Sequence, residues 1–197
     1  MTHITPRTRA ELAELEPVFQ AVEESMGFVP TSMLTMAYWP ELMLAFGGLG
    51  NTILGGGELE PGLKQLIAFA ASNASGSRYC QAHTAHSAHR KDVSVEKIQA
   101  VFDFETSELF TEREKAALRV AVYAGMVPNA VEPQQMAALS EHFSAREITE
   151  VVAVIALFGF LNRWNDTMAT TLESSPKRFA AEKLAARGWT AGRHDQA

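Results

Sequence analysis

The one cysteine in 197 residues, Cys80, sits in a run of titratable and hydroxyl side chains: Ser77-Arg78-Tyr79-Cys80-Gln81-Ala82-His83-Thr84-Ala85-His86-Ser87-Ala88-His89. A thiol close to an imidazole can become a thiolate, the form that attacks electrophiles and binds metals. With Ser77 at a helix N-cap, Cys80 falls in the first turn. There, free amides and the helix dipole favour an anion and lower a thiol's pKa. His83 follows at i+3, where side chains can touch, and Thr84 and Ser87 share the cysteine's face. His86 lies further round and His89 nearly opposite, so the three histidines cannot all serve Cys80. No metal site is expected from ligands that drift around a helix instead of converging. The competing reading of the cluster is structural: Cys80 as a small buried hydrophobe, His83 as its satisfied neighbour, Ser77 as a cap and Tyr79 as a core residue with a wet hydroxyl.

The elements that must hold this cluster read as helices. Pro17, Pro40, Pro61, Pro133 and Pro176 stand where a helix can open without an amide donor. Thr111-Glu112-Arg113-Glu114 and Ser144-Ala145-Arg146-Glu147 are capping boxes. They start helices expected to reach Tyr123, with Gly125 as the stop, and about Leu172. Ser77 opens a helix to about Lys91, and Ser94 caps a shorter one. Leu63, Leu66, Ile67, Phe69 and Ala70 recur at helical spacing after Pro61. Strand and hairpin signals are almost absent. The expected fold is all-α, with about ten helices and short connectors. The organisation read from the letters is an N-terminal arm (1–14), one helical domain (15–187) and a polar, frayed tail (188–197).

Composition narrows the function classes. Hydrophobic residues make up 47% and the formal net charge is −6. With no Lys/Arg stripe, nucleic acid is not an expected partner. A single cysteine excludes an intrachain disulfide and points to a reducing cytoplasm. No apolar run at the N-terminus resembles a signal peptide, and the longest, residues 151–161, is too short for a bilayer. Gly55-Gly56-Gly57 reads as a flexible turn; without a preceding strand or a following Lys-Ser/Thr it is not a phosphate loop. Met33, Met36, Trp39, Met43 and Phe46 read as core or interface. A spacing recurs between Gln65-Leu66-Ile67-Ala68 to Arg78-Tyr79-Cys80 and Glu150-Val151-Val152-Ala153 to Arg163-Trp164-Asn165. Two related helical hairpins would produce it, and so would chance in apolar helices.

At Gln65-Leu66-Ile67-Ala68 and Gly76-Ser77-Arg78-Tyr79-Cys80-Gln81-Ala82-His83 the chain resembles the carboxymuconolactone decarboxylase superfamily, in its alkyl hydroperoxidase D-like, peroxidase-related branch. Gly27-Phe28-Val29-Pro30 and the segment Phe158-Gly159-Phe160-Leu161-Asn162-Arg163-Trp164-Asn165-Asp166 extend the likeness from about Leu15 to Lys177. The resemblance implies an all-helical homo-oligomer (dimer, trimer or hexamer) that needs no cofactor. In peroxidase members, a Cys-x-x-Cys pair opens a helix, a His follows and a Glu stands on the preceding helix. Here Ser77 takes the first cysteine's place, Cys80 matches the peroxide-attacking second, and Gln65 stands where the Glu is expected. His83 fits the family His only with a one-residue slip, since Thr84 has its spacing.

A serine cannot resolve a sulfenic acid, so an external thiol would have to restore Cys80. The leading expectation is a one-cysteine hydroperoxide reductase, with Cys80 as nucleophile, His83 as activator and Gln65 and Ser77 as hydrogen-bonding neighbours. Tyr79, Thr84, Arg163 and Trp164 are its candidate substrate contacts. For Arg163 and Trp164 the structural reading is an Arg163–Asp166 pair and a packed indole. Two alternatives stand beside the peroxidase. One is a cofactor-independent decarboxylase or isomerase of a small carboxylate, with His83 as acid/base and Arg163 as anchor. The other is an oligomeric scaffold that has lost its chemistry.

Overall fold

A computed structural model describes residues 2–195. Ten α-helices run through it: α1 (Glu16–Met26), α2 (Thr31–Met36), α3 (Pro40–Gly50), α4 (Pro61–Ala74), α5 (Arg78–Arg90), α6 (Val95–Ala100), α7 (Glu112–Gly125), α8 (Pro133–Ser140), α9 (Ala145–Met168) and α10 (Ser174–Lys183). Short 3₁₀ and π turns join them, and no strand occurs among the described residues. Both capping boxes form as read: the amide of Glu147 donates to Ser144 Oγ at 3.2 Å and the amide of Ser144 to Glu147 Oε2 at 2.8 Å, with the same reciprocal pair at Thr111 and Glu114.

The central helix is α4, packed against α5, α7 and α9. Leu63, Leu66, Ile67, Phe69 and Ala70 are all buried on it. A second apolar cluster gathers Leu12, Leu15, Phe19, Met33, Met36, Ala37 and Met43 from the N-terminal region. Phe46 and Leu161 touch both clusters. The methionines are core as expected, but Trp39 stays 62% exposed. Leu12, within the segment read as an arm, is fully buried.

Four expectations need correction. The long helix α9 ends at Met168, not Leu172, because Ala169 takes a left-handed conformation (φ 50°) and turns the chain back. The glycine turn is fixed, not loose. Gly57 has φ 96°, and a Cβ there would collide with the Glu150 carboxylate; the amides of Glu58 and Leu59 donate to that same carboxylate. The tail docks as well: Trp189 and His194 are 4% and 1% exposed, and the Leu172 amide donates to the His194 carbonyl at 3.0 Å. The expected tail's last residues, Gln196 and Ala197, lie outside the described residues, as does Met1 of the arm. The recurring spacing is no repeated hairpin, since residues 74–77 break the chain between α4 and α5 whereas Arg163–Asn165 sit inside the unbroken α9. No helix among the described residues is long and apolar enough to cross a membrane.

Candidate active site

Between the two apolar clusters lies a cavity of about 380 Å³. Its walls come from α1, α2, α3, the turn after α3, α4, α5 and α9: Val18, Val22, Met26, Met33, Phe46, Leu54, Leu157, Phe158 and Leu161 supply most of the apolar surface. Tyr79, Cys80, His83 and Thr84 from α5, Gln65 from α4 and Asn165 from α9 supply the polar part. Five predicted residues, Gln65, Tyr79, Cys80, His83 and Thr84, thus meet around one space.

Cys80 is only 2% exposed. Burial pushes its thiol up to about 12, against opposing hydrogen bonds from Ser77 and Asn165. The expected thiolate is therefore overturned for the resting state: desolvation disfavours the anion more than the start of α5 favours it. Asn165 Nδ2 approaches Sγ at 3.7 Å. Thr84 Oγ1 donates to the Cys80 carbonyl at 2.7 Å, which pins the backbone behind the thiol.

His83 does not hydrogen-bond Cys80. Its Nε2 lies 2.5 Å from Glu173 Oε2, and its ring stacks on Tyr79 with centroids 4.2 Å apart. The other carboxylate oxygen of Glu173 accepts from the Tyr79 hydroxyl at 2.8 Å and from the Thr31 amide at 2.5 Å. Burial would raise the Glu173 carboxyl. The facing His83, together with the His83 and Thr31 hydrogen bonds, outweighs that and leaves it below the ordinary value. Tyr79 is pushed well above its ordinary value by burial and by the Glu173 charge. The carboxylate fixes the imidazole's orientation and engages Nε2. Nδ1 is then the ring nitrogen left to take or give a proton.

Glu173 was not picked out of the sequence. It is the N-cap residue of α10, brought to α5 by the left-handed turn at Ala169. An acid just before a helix-opening Ser-Ser-Pro is the local signal, but it reads as an ordinary helix start. In the letters Asn165 is one residue of the segment it shares with Arg163 and Trp164, with nothing to single it out. It is fully buried, and its Oδ1 has no partner.

The remaining candidates do not line the cavity. Ser77 is fully buried at the N-cap of α5, but its side chain does not cap the helix. Its hydroxyl donates to Asp166 Oδ1 at 3.1 Å, beside His194 Nε2 at 3.0 Å. Arg163 does not line the cavity. Its guanidinium donates to the Gly159 carbonyl at 2.8 Å on an exposed face, because the α9 register turns it outward, and the Arg163–Asp166 pair does not form. Trp164 is also away from the cavity, with Nε1 donating to Thr35 Oγ1 at 3.2 Å. His86 and His89 pack against Phe179, and no group of three or more metal-ligating side chains converges among the described residues.

Comparison with known proteins agrees with this architecture. Residues 40–123, from α3 through α7, match the carboxymuconolactone decarboxylase family. The chain is 37% identical to the debrominase Bmp8, covering 92% of this chain and 97% of that one, with a TM-score of 0.87; that structure is a Cys→Ala variant in complex with 2,3,4-tribromopyrrole. It is 29% identical over 110 residues to the uncharacterized protein YnjA of Escherichia coli (strain K12), a match that covers 56% of this chain and spans 60% of that protein's length. An uncharacterized peroxidase-related protein from Ralstonia eutropha JMP134 with an AhpD core shares the fold at 24% identity, covering 89% of this chain and 93% of that one, with a TM-score of 0.74.

Proposed function

The chain belongs to the carboxymuconolactone decarboxylase family, and on that footing we propose that it is a thiol-dependent oxidoreductase that removes halogen from a small aromatic ring bound in the Cys80 cavity. The observation that carries this reading is a buried thiol at the polar end of an apolar cavity that is also lined by an imidazole held by a carboxylate. Replacing carbon–halogen by carbon–hydrogen needs a proton and two electrons. A thiol can supply both. The Bmp8 relative, a debrominase, supports the same substrate class.

The His83 imidazolium protonates the ring carbon that bears the halogen, and the proton lost by the Cys80 thiol returns to the imidazole across the cavity, since no hydrogen bond joins the two side chains. Glu173 stabilises the imidazolium. The sulfur then takes the halogen: an S–halogen bond forms, the C–halogen bond breaks, and its electron pair restores the aromatic ring. The products are the dehalogenated ring and a sulfenyl halide on Cys80. An external thiol displaces halide to give a mixed disulfide, and a second one releases Cys80 as thiol and leaves as disulfide. Overall, one aryl halide and two thiols give the arene, hydrogen halide and one disulfide. No second cysteine of this chain is required. The dry wall serves the reaction by keeping water from the sulfenyl halide.

Hydroperoxide reduction is the second reading, favoured by the lone thiol and by Gln65 at the same cavity. Gln65 cannot give the leaving hydroxide a proton as an acid would. A decarboxylase with Arg163 as carboxylate anchor has no support from the position of that side chain. A cavity that reaches Cys80 weighs against a lapsed scaffold.

The test is anaerobic incubation of the protein with a polybrominated pyrrole and excess dithiol, with bromide measured by ion chromatography, beside a parallel assay with an organic hydroperoxide. Bromide release that Cys80→Ala abolishes is the expected result. Peroxide consumption without bromide release would replace the first reading by the second.

A further inference from the structure

The lining of the Cys80 cavity divides by exposure. Gln65, Cys80 and Asn165 form its closed end, each 8% exposed or less. The exposed lining residues are Ala21 and Ser25 of α1, Asn51 and Gly55 of the π turn after α3, and Arg90 and Lys91 at the end of α5. These mark the mouth. Along α5 the wall runs from Cys80 through Thr84 and Ser87 to Arg90 and Lys91. At 1.5 Å of rise per residue, the backbones of Cys80 and Arg90 stand about 15 Å apart. Two contacts place the Arg90 guanidinium at the mouth. Its Nη2 donates to the Ser25 carbonyl at 3.3 Å, and its Nη1 lies 3.0 Å from where a Cβ on Gly27 would be. Neither Arg90 nor Lys91 forms an ion pair among the described residues. No aspartate or glutamate lines the cavity. In a chain of net charge −6, an acid-free space with two unpaired cations at its entrance reverses the sign of the charge locally.

We propose that the external thiol that restores Cys80 is a small-molecule thiol bearing a carboxylate, and that Arg90 and Lys91 hold this carboxylate at the mouth while the sulfur reaches Cys80. This rests on the proposed cycle, in which two thiols reduce the sulfenyl halide. The attacking species at each step is a thiolate, itself an anion. The first thiolate forms an S–S bond to Cys80, and halide leaves with the electron pair of the S–halogen bond. The second forms an S–S bond to the first, and Cys80 leaves as thiolate and takes up a proton. A cationic entrance concentrates such anions and speeds their arrival. Span decides whether the ring or the thiol carries the carboxylate. One aromatic ring in contact with Sγ at the closed end does not extend to the mouth. An extended chain gains about 3.5 Å per residue, so a cysteine-containing tripeptide spans about 10 Å, and its cysteine side chain and that of Arg90 cover the rest. A protein dithiol carries its sulfur on a folded surface too broad for this recess.

The experiment measures reduction of a methyl disulfide on Cys80, made with methyl methanethiosulfonate, by following loss of the methylthio group in the intact mass. The probes are glutathione, a net anion, and its diethyl ester, the same skeleton as a net cation. Each rate is divided by that of the same thiol with a methyl disulfide on a short unstructured peptide, which removes differences in intrinsic reactivity. Glutathione should be favoured about tenfold or more at low salt. The preference should fall to about one in the double variant Arg90→Gln, Lys91→Gln. It should also collapse in the unaltered protein between about 10 mM and 1 M KCl, where the screening length shortens from about 30 to about 3 Å. Should the double variant fail to fold, the salt series decides. Equal normalised rates for the two probes, or a preference that survives either treatment, overturn the assignment. A higher normalised rate for reduced thioredoxin than for glutathione overturns it too. Bromide plays no part in this readout. Absent bromide release with every thiol would end the dehalogenase reading and leave the thiol preference measurable; equal probe rates would end only the role of Arg90 and Lys91.

Discussion

Two largely buried carboxylates in this protein face basic partners, and they behave differently. Glu150 on α9 accepts from the amides of Glu58 and Leu59 and from Arg146 Nε, and lies 3.4 Å from Lys64 Nζ. Lys64, 1% exposed, also donates to the carbonyls of Ile53 and Gly56. Every strong valence of that pair is spent on backbone, on Arg146 and on each other. Glu173 accepts from His83, Tyr79 and Thr31, but its partner is an imidazole with a second nitrogen. His83 also lines the cavity. A saturated buried pair fastens a loop to a helix. A pair with one open valence beside a ligand-sized space can move a proton.

The sharpest break in that comparison comes from the thiol. Cys80→Ala should lower thiol-dependent turnover on the order of 10⁴-fold, with a melting temperature close to wild type, because the replacement stays small and apolar. Anaerobic halide release and differential scanning calorimetry measure the two. Glu150→Gln or Lys64→Met should do the reverse. Each leaves a buried charge uncompensated and should cost about 3–5 kcal/mol in urea unfolding, with kcat per folded molecule unchanged. A fall in kcat equal to that of a cavity residue would erase the distinction between the two pairs.

Glu173→Gln should reduce kcat by about 10²-fold, with the alkaline and acid limbs of the rate profile displaced, and should destabilise less than Glu150→Gln. The smallest effects are in pH. The amide and guanidinium hydrogen bonds, with Lys64 nearby, overcome burial and hold Glu150 at about 2, below the ordinary 4.5. Its contribution to stability is therefore present above about 4.5 and lost as pH falls toward 2. Glu150→Gln should flatten most of that acid limb in a melting-temperature series, leaving the part due to Glu173. Cys80 has the opposite sign: its value is raised from 9.0 to about 12, so its contribution is lost as pH rises from 9 toward 12. Alkylation of Cys80 should accordingly be slow near pH 7.5 beside a free thiol, and slower again with a haloaromatic in the cavity. Rapid alkylation at neutral pH would mean that the sulfur is already ionised.

Much of this was readable in the letters. The prolines and the boxes at Thr111 and Ser144 marked the helix starts because those signals act within one turn. The grouping of Cys80, His83 and Thr84 followed from helical spacing, and the approach of Gln65 from the family likeness. What was not readable needed contacts across the fold. Arg163 and Trp164 share a motif with Asn165, yet the register of α9 sends the guanidinium to solvent, the indole to Thr35 and only the amide to the thiol. His194 lay in a stretch that reads as a frayed tail, and its burial depends on Asp166 and the Thr170 carbonyl.

Local rules determined the helical alphabet of this protein and the placing of its thiol in a first turn with an imidazole nearby, because caps, spacing and propensity involve neighbours in the chain. Tertiary structure alone decided the charge on that thiol and the partner of that imidazole. Desolvation depends on everything packed around the sulfur, and Glu173 lies 90 positions from His83. No local pattern records either.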